Sequence, residues 1–269
     1  MQDSKKGWLI GGGLVAYAII TFAFVVYFVA LLQPSSSSFN HLAFDDELSS
    51  RTLLPDFKNI KITKVRKQEF LGLLRPLVDE KNEKLLKSRE RLLKMKQEFD
   101  ATGELTGVNA RNLSVMRTKY QISEKTYPET GRALEILLLR VDAIPPAMVL
   151  AQAAAESGWG TSRFAEEAHN LFGQWCYQAG CGIVPARRAA SAKHEVRKFN
   201  SVEESITAYY RNINTHNAYR AWRQARAQVR DKPEHFTGAN MVATLGKYSE
   251  RGDAYIHELR KLITSNRLE

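Results

Sequence analysis

Residues 145–162 read Pro-Pro-Ala-Met-Val-Leu-Ala-Gln-Ala-Ala-Ala-Glu-Ser-Gly-Trp-Gly-Thr-Ser, and the fold class turns on them. Two prolines suit the first turn of a helix, and the alanine-rich run that follows propagates one well. Gly158 must end it, so Glu156 falls in the last turn, beside the negative end of the helix dipole. Its ionised form is disfavoured there and its pKa should rise. A carboxyl that stays protonated near neutral pH can serve as a general acid. The small side chains of Ala151, Ala154 and Ala155 would let the helix be buried in a tightly packed domain with Glu156 at a cleft. From position alone, an ordinary surface glutamate near a helix end is the simpler reading. The residues around it have to decide.

Outward from this helix the pattern is helical in short pieces, at 129–140, 162–170, 201–215, 218–230, 239–246 and 252–264. Between Phe172 and Phe199 the periodicity breaks down and Cys, Gly and Pro cluster, which leaves room for at most a short hairpin. The region 120–269 is therefore predicted to be a mainly α domain of the α+β kind. Before it, residues 61–119 form a helical accessory region. Leu71, Val78, Leu85, Leu92 and Phe99 recur every seven residues and make one apolar helical face. The intermediate positions Leu74, Lys81, Ser88 and Met95 are too polar for a firm coiled coil, and Pro76 should start or kink the helix. This amphipathic helix packs on the next domain or, alternatively, takes a protein partner through its 61–99 face. Gly, Asp, Asn and Thr between 100 and 112 read as a loop.

Residues 33–60 are Ser-rich and slightly acidic and read as a linker. Upstream, Trp8 to Leu32 carry no charge, a run of about 37 Å as a helix at about 1.5 Å per residue. Lys5 and Lys6 precede it, so the positive-inside rule keeps the N-terminus cytoplasmic and exports the remainder. Residues 1–32 are thus predicted to be a signal anchor, a single transmembrane helix in the cytoplasmic membrane with the rest of the chain periplasmic or extracellular. A cleaved signal peptide is the alternative reading.

With 269 residues, 44% hydrophobic and a quarter charged, the chain is long enough for a folded core and is neither collagen-like nor wholly disordered. Two cysteines exclude a disulfide-stapled mini-protein and a multi-zinc array. The net charge of +10 points to an anionic partner. Much of that excess lies on the 61–99 helix, where twelve Lys and Arg face six Asp and Glu, and an exported domain rarely meets nucleic acid. No nucleic-acid role is therefore predicted. In an oxidising compartment Cys176 and Cys181 should form a disulfide closing a short loop, worth roughly 2 kcal/mol in the chain-entropy model. A zinc site adding His169 and His194 matches no standard spacing.

Two segments together, Ala151-Gln152-Ala153-Ala154-Ala155-Glu156-Ser157-Gly158-Trp159-Gly160-Thr161-Ser162 and Asn170-Leu171-Phe172-Gly173, resemble the paired signature of bacterial glucosaminidases, glycoside hydrolase family 73. These are peptidoglycan hydrolases with a lysozyme-like fold, related to flagellar muramidase domains. Lys247-Tyr248 and Asp253-Ala254-Tyr255 are similar to the family's closing Tyr motifs, and the cysteine-bearing segment Phe172 to Arg188 looks most like its Bax-type members. The resemblance spans roughly 130–265. It implies a lysozyme-like domain with a short β-hairpin lobe, and Glu156 as proton donor to the leaving sugar oxygen.

By the same resemblance Trp159 and Phe172 shape the cleft or stack on sugar rings, unless they are core aromatics. Asn170 holds the Glu156 loop by hydrogen bonds across the helix end. Tyr248 offers a hydroxyl in the cleft, to the reaction centre or to the substrate acetamido group. Tyr219 and Tyr255 match aromatic positions that line the substrate or fill the core. The family's second acid, expected in a hairpin before Phe199, is missing, since no acid occurs from Gln174 through His194. Glu195 is the nearest carboxylate, and Glu203 or Glu204 follow, though these also read as a helix-capping pair. Without a base, the substrate's 2-acetamido group could attack. No metal or organic cofactor is implied. The expected activity is cleavage of β-1,4 bonds in peptidoglycan glycan strands as an endo-β-N-acetylglucosaminidase. The alternatives are muramidase or lytic transglycosylase action, or a non-catalytic wall-binding or scaffolding protein.

Overall fold

The computed structural model describes residues 52–186, 188, 191–246 and 248–269. The predicted anchor at 1–32 and the linker up to residue 51 lie outside the described residues. Among the described residues no helix is long and apolar enough to cross a membrane.

The order is mainly helical, with one small sheet between the fifth and sixth helices. Helix α1, Thr63–Thr102, runs unbroken through Pro76. The proline was expected to start or kink it. Instead Pro76 and Gly72, whose carbonyl loses its helical partner, are both exposed, so water can supply the missing bond. The buried face of α1 carries Phe70, Leu74, Val78, Asn82, Leu85, Ser88, Leu92 and Met95, at steps of three and four residues. Gly103 ends the helix in a left-handed conformation. The predicted loop at 100–112 is half helix: α2 spans Gly107–Lys119. The Glu98 carboxylate accepts from the Thr106 amide (3.0 Å) and from Asn109, a local tertiary contact that outweighs the turn-like composition.

Next come α3, Thr130–Arg140, α4, Pro146–Ser157, and α5, Arg163–Ala168. Helix α4 is buried from Ala147 through Ala154, as a helix apolar all round must be. Three two- or three-residue strands follow: β1, Trp175–Cys176, β2, Gly182–Ile183, and β3, Glu195–Arg197. They pair antiparallel in the order β1-β3-β2, with Trp175 and Ile183 both opposite Val196. The expected hairpin is thus a three-stranded sheet whose last strand sits in the middle. Helices α6, Val202–Thr215, α7, Arg220–Val229, α8, Gly238–Met241, and α9, Asp253–Asn266, complete the chain. Helices α1, α8 and α9 all pack against α4, which makes α4 the axis of the domain.

The last part of the predicted linker is no tether. Thr52 donates its amide to the Glu203 carboxylate (3.1 Å), its carbonyl accepts from the Val202 amide (3.0 Å), and Phe57 is buried. Leu53, Leu54, Phe57 and Ile60 fall within too short a stretch to establish a helical period, and they do not alternate as a strand would.

Candidate active site

The site grows from the end of α4. Gly158, Trp159 and Gly160 all have positive φ, at 58°, 60° and 78°. For a tryptophan that conformation is strained and must be held by its surroundings. Trp159 donates its amide to the Ala154 carbonyl (3.0 Å). The Ser157 hydroxyl donates to Ala153 O (2.6 Å) and accepts from the Gly160 amide (2.9 Å). The chain therefore reverses directly after Glu156 and leaves that side chain at the helix end, half-buried.

Glu156 is held by a directed chain of hydrogen bonds. The Tyr209 hydroxyl donates to Gln152 Oε1 (2.5 Å), Gln152 Nε2 donates to the Tyr255 hydroxyl (3.1 Å), and Tyr255 donates to Glu156 Oε1 (2.8 Å). Gln152 lies one turn before Glu156 on the same face of α4, which is why the two can share a partner. The other oxygen, Oε2, is free of this chain. It lies 3.5 Å from where a Cβ on Gly173 would stand, and Gly173 also has positive φ, so the smallest residue leaves Oε2 room for a ligand. Burial raises the Glu156 pKa above the ordinary carboxylate value. The Tyr255 hydrogen bond opposes this, Glu258 adds to it and Arg251 opposes it. A proton is therefore retained to higher pH than on a surface glutamate.

Asn170 places Gly173. Fully buried, it donates from Nδ2 to the carbonyls of Gln174 and Arg197 (both 2.9 Å) and accepts at Oδ1 from the amides of Phe172 (3.3 Å) and Gln174 (3.0 Å). All its polar capacity goes to backbone, so it holds the loop. Phe172 is a core residue, stacked on Tyr209 at 4.1 Å. Tyr248 donates to Phe172 O (3.3 Å), stacks on Tyr255 at 5.6 Å and has Tyr219 tilted against it at 6.0 Å. These three rings form a row behind Glu156. Tyr248 braces the residue that holds the acid, and burial raises the pKa of all three hydroxyls, keeping them neutral donors. Tyr255, 2% exposed, is at once core and the direct partner of the acid.

Trp159 has one ring face under Lys67 Nζ, 4.6 Å from its centroid, and makes a T-shaped contact with Phe70 at 5.7 Å. Glu195 has a task other than the second carboxylate. Its oxygens accept from the amides of Gly180 (3.1 Å) and Gly182 (2.8 Å), which hold its pKa below the ordinary value and clamp the loop closed by the Cys176–Cys181 disulfide. Glu203 receives Thr52, and Glu204 accepts from the Asn200 amide (2.8 Å) at the start of α6, so both serve the helix end. The cysteine sulfurs are committed to each other, and His194 stacks on Trp175 at 4.0 Å.

Trp175 was not singled out in the sequence. It is 55% exposed on the first strand, two residues or about 7 Å of extended chain from Gly173. Gln152 and Tyr209 were missed too. For Gln152 the signal was present, a polar residue four positions before Glu156 in an alanine run.

The family model described as "Glucosaminidase: Mannosyl-glycoprotein endo-beta-N-acetylglucosaminidase" matches residues 136–268. Protein bax of Escherichia coli (strain K12) is 32% identical over 217 residues, which cover 79% of this chain and 74% of that protein. Among solved structures, the catalytic domain of the autolysin Auto from Listeria monocytogenes aligns over 64% of this chain and 93% of that one. Its identity is 21% and the TM-score 0.37.

Proposed function

This chain belongs to the glucosaminidase family, and on that premise we propose that it hydrolyses β-1,4 glycosidic bonds of peptidoglycan glycan strands as an endo-β-N-acetylglucosaminidase. One observation carries the reading: a half-buried carboxyl, Glu156, with one oxygen fixed by Tyr255 and the other open beside Gly173. Glu156 gives its proton from Oε2 to the glycosidic oxygen, and the C–O bond breaks with its electron pair on the leaving sugar. Because both oxygens of Glu195 are taken up by amides, the substrate's 2-acetamido oxygen attacks the anomeric carbon. The Glu156 carboxylate then removes a proton from the water that opens this intermediate, which restores the acid. Tyr248, Tyr219 and Tyr255 keep the acid in place.

The reading includes export. Peptidoglycan lies outside the cytoplasmic membrane, the disulfide fits an oxidising compartment, and residues 8–32 supply the anchor. Mass spectrometry of peptidoglycan digested with the purified protein tests the bond. Fragments with a reducing N-acetylglucosamine end are expected. A reducing muramic end or an anhydro end would replace this reading with muramidase or lytic transglycosylase action, and no fragments at all would favour a wall-binding scaffold.

Two further outcomes are expected. Tyr255→Phe removes the hydrogen bond that favours ionised Glu156, so the acid keeps its proton to higher pH. The alkaline fall in activity then moves up in pH, while kcat at the optimum drops about tenfold for a lost hydrogen bond to a charged group. A pH–rate profile checks both. Trp175→Ala removes a half-exposed indole, stacked on His194 through one face, on which a sugar would stack through the other. KM on glycan oligomers should rise roughly tenfold with kcat unchanged, as steady-state kinetics would show.

A further inference from the structure

The residues matched to the family begin at 136, yet the turn that follows Glu156 is closed by side chains far upstream. A Cβ on Gly160 would stand 2.5 Å from Cδ2 of Phe57, so that ring lies directly against the Gly160 backbone. Phe57 meets Phe70 of α1 edge-on at 5.5 Å, Phe70 meets Trp159 at 5.7 Å, and Lys67 covers the indole. Phe57 and Phe70 are fully buried. At the other end of α4, Asn82 of α1 donates from Nδ2 to Ile144 O (2.8 Å) and accepts at Oδ1 from the Ile144 amide (3.0 Å) and the Tyr210 hydroxyl (2.9 Å).

We propose that the segment Phe57 to Asn82 is part of the catalytic apparatus, with Phe57 and Phe70 as positioning residues that hold the strained Gly158–Gly160 turn and so aim Glu156. The proposal rests on Glu156 being the acid. Phe70 and Asn82 are about 18 Å apart along α1 at about 1.5 Å per residue, and the twelve residues of α4 span the same length. Helix α1 therefore runs antiparallel to α4 and grips both its ends, Asn82 where the chain enters and Phe70 where it leaves. A left-handed tryptophan between two left-handed glycines is not a conformation the chain keeps unaided. The aromatic cluster supplies the constraint, and it also excludes water from the protein side of the turn.

The test uses the full-length chain and the variants Phe57→Ala, Phe57→Leu, Phe70→Ala and Met116→Ala. Met116 is buried on α2 and serves as a packing control. Phe57→Ala and Phe70→Ala should lower kcat roughly 10- to 100-fold with KM little changed, the scale of a misplacement of about 1 Å. Phe57→Leu should recover most of it, and Met116→Ala, although thermally weakened, should keep its kcat. Independently of turnover, the Glu156 carboxyl resonance, in glutamate labelled with carbon-13 and assigned by its loss in Glu156→Gln, should titrate at lower pH in Phe57→Ala. Water admitted to the turn would relieve the burial that raises it. If the titration and kcat of folded Phe57→Ala match the wild type, or if Met116→Ala loses as much kcat, the proposal is overturned. If the wild type cuts no glycan, the enzymatic reading fails while the titration still decides the positioning.

Discussion

Glu156→Gln is expected to lower kcat on peptidoglycan by about 10²- to 10⁴-fold, the usual worth of a general acid, and to leave KM within a few-fold. The amide keeps an oxygen for Tyr255, so the geometry survives while the proton is gone. The same substitution should stabilise the fold at higher pH. Burial raises the folded-state pKa of Glu156 above its unfolded value. The wild type therefore holds this carboxyl's full contribution below the unfolded pKa and loses it as pH rises through the folded one. Gln does not titrate. Urea midpoints of the two proteins should coincide in acid and separate on the alkaline side, with Glu156→Gln the more stable. Equal gel clearing by both proteins, or a wild type as stable as the variant at alkaline pH, contradicts the assignment.

The second large effect lies away from the chemistry. Asp142, 2% exposed, pairs with Arg89 of α1 (3.4 Å), with Arg226 (3.9 Å) and with Arg230. Arg226 is 1% exposed and its pKa is pushed down to about 9, first of all by burial. It also donates to the carbonyl of Leu139 (2.8 Å) in the last turn of α3, where a cation suits the helix dipole, and to that of Ala143 (2.8 Å) beyond it. Asp142→Ala removes the only carboxylate these guanidinium groups pair with among the described residues. Leaving a buried charge unpaired costs about 3–5 kcal/mol. For a domain of this size that is a fall in Tm of about 10 °C, readable by thermal unfolding. A Tm within about 2 °C of the wild type would show that the arginines find their compensation elsewhere.

Local chemistry made part of this molecule readable in the sequence. Pro146 and Gly158 bound α4 because a missing N–H and a permissive φ act within one turn. Two cysteines in one short loop had only each other, and Asn170 was read as a loop holder, the role its four backbone hydrogen bonds give it. What escaped depends on residues far apart in the chain. The Tyr255 contact to Glu156 spans 99 positions, and its neighbours Ile256 and Leu259 mark it in the sequence as core. Glu195 looked like an available base because nothing in the sequence says that Gly180 and Gly182 will turn their amides towards it. Phe57 was hidden in tether-like composition, and α2 in turn-like composition that the Glu98 contacts override.

The hydrogen-bond chain behind Glu156 has one more property, which concerns traffic. Its middle member is an amide: Gln152 takes a hydrogen bond at oxygen and gives one from nitrogen, and an amide nitrogen does not pass its hydrogens along. Tyr209, Gln152 and Tyr255 therefore orient the acid without forming a proton wire. In the proposed reaction the proton leaves and returns through the same doorway, Oε2 beside Gly173, on the side where the sugar would sit. A second proton cannot arrive from the core while the leaving sugar still fills that doorway. On that proposal reprotonation waits until water replaces it, and the order of events in a turnover would follow from which atoms of one buried glutamine face which tyrosine.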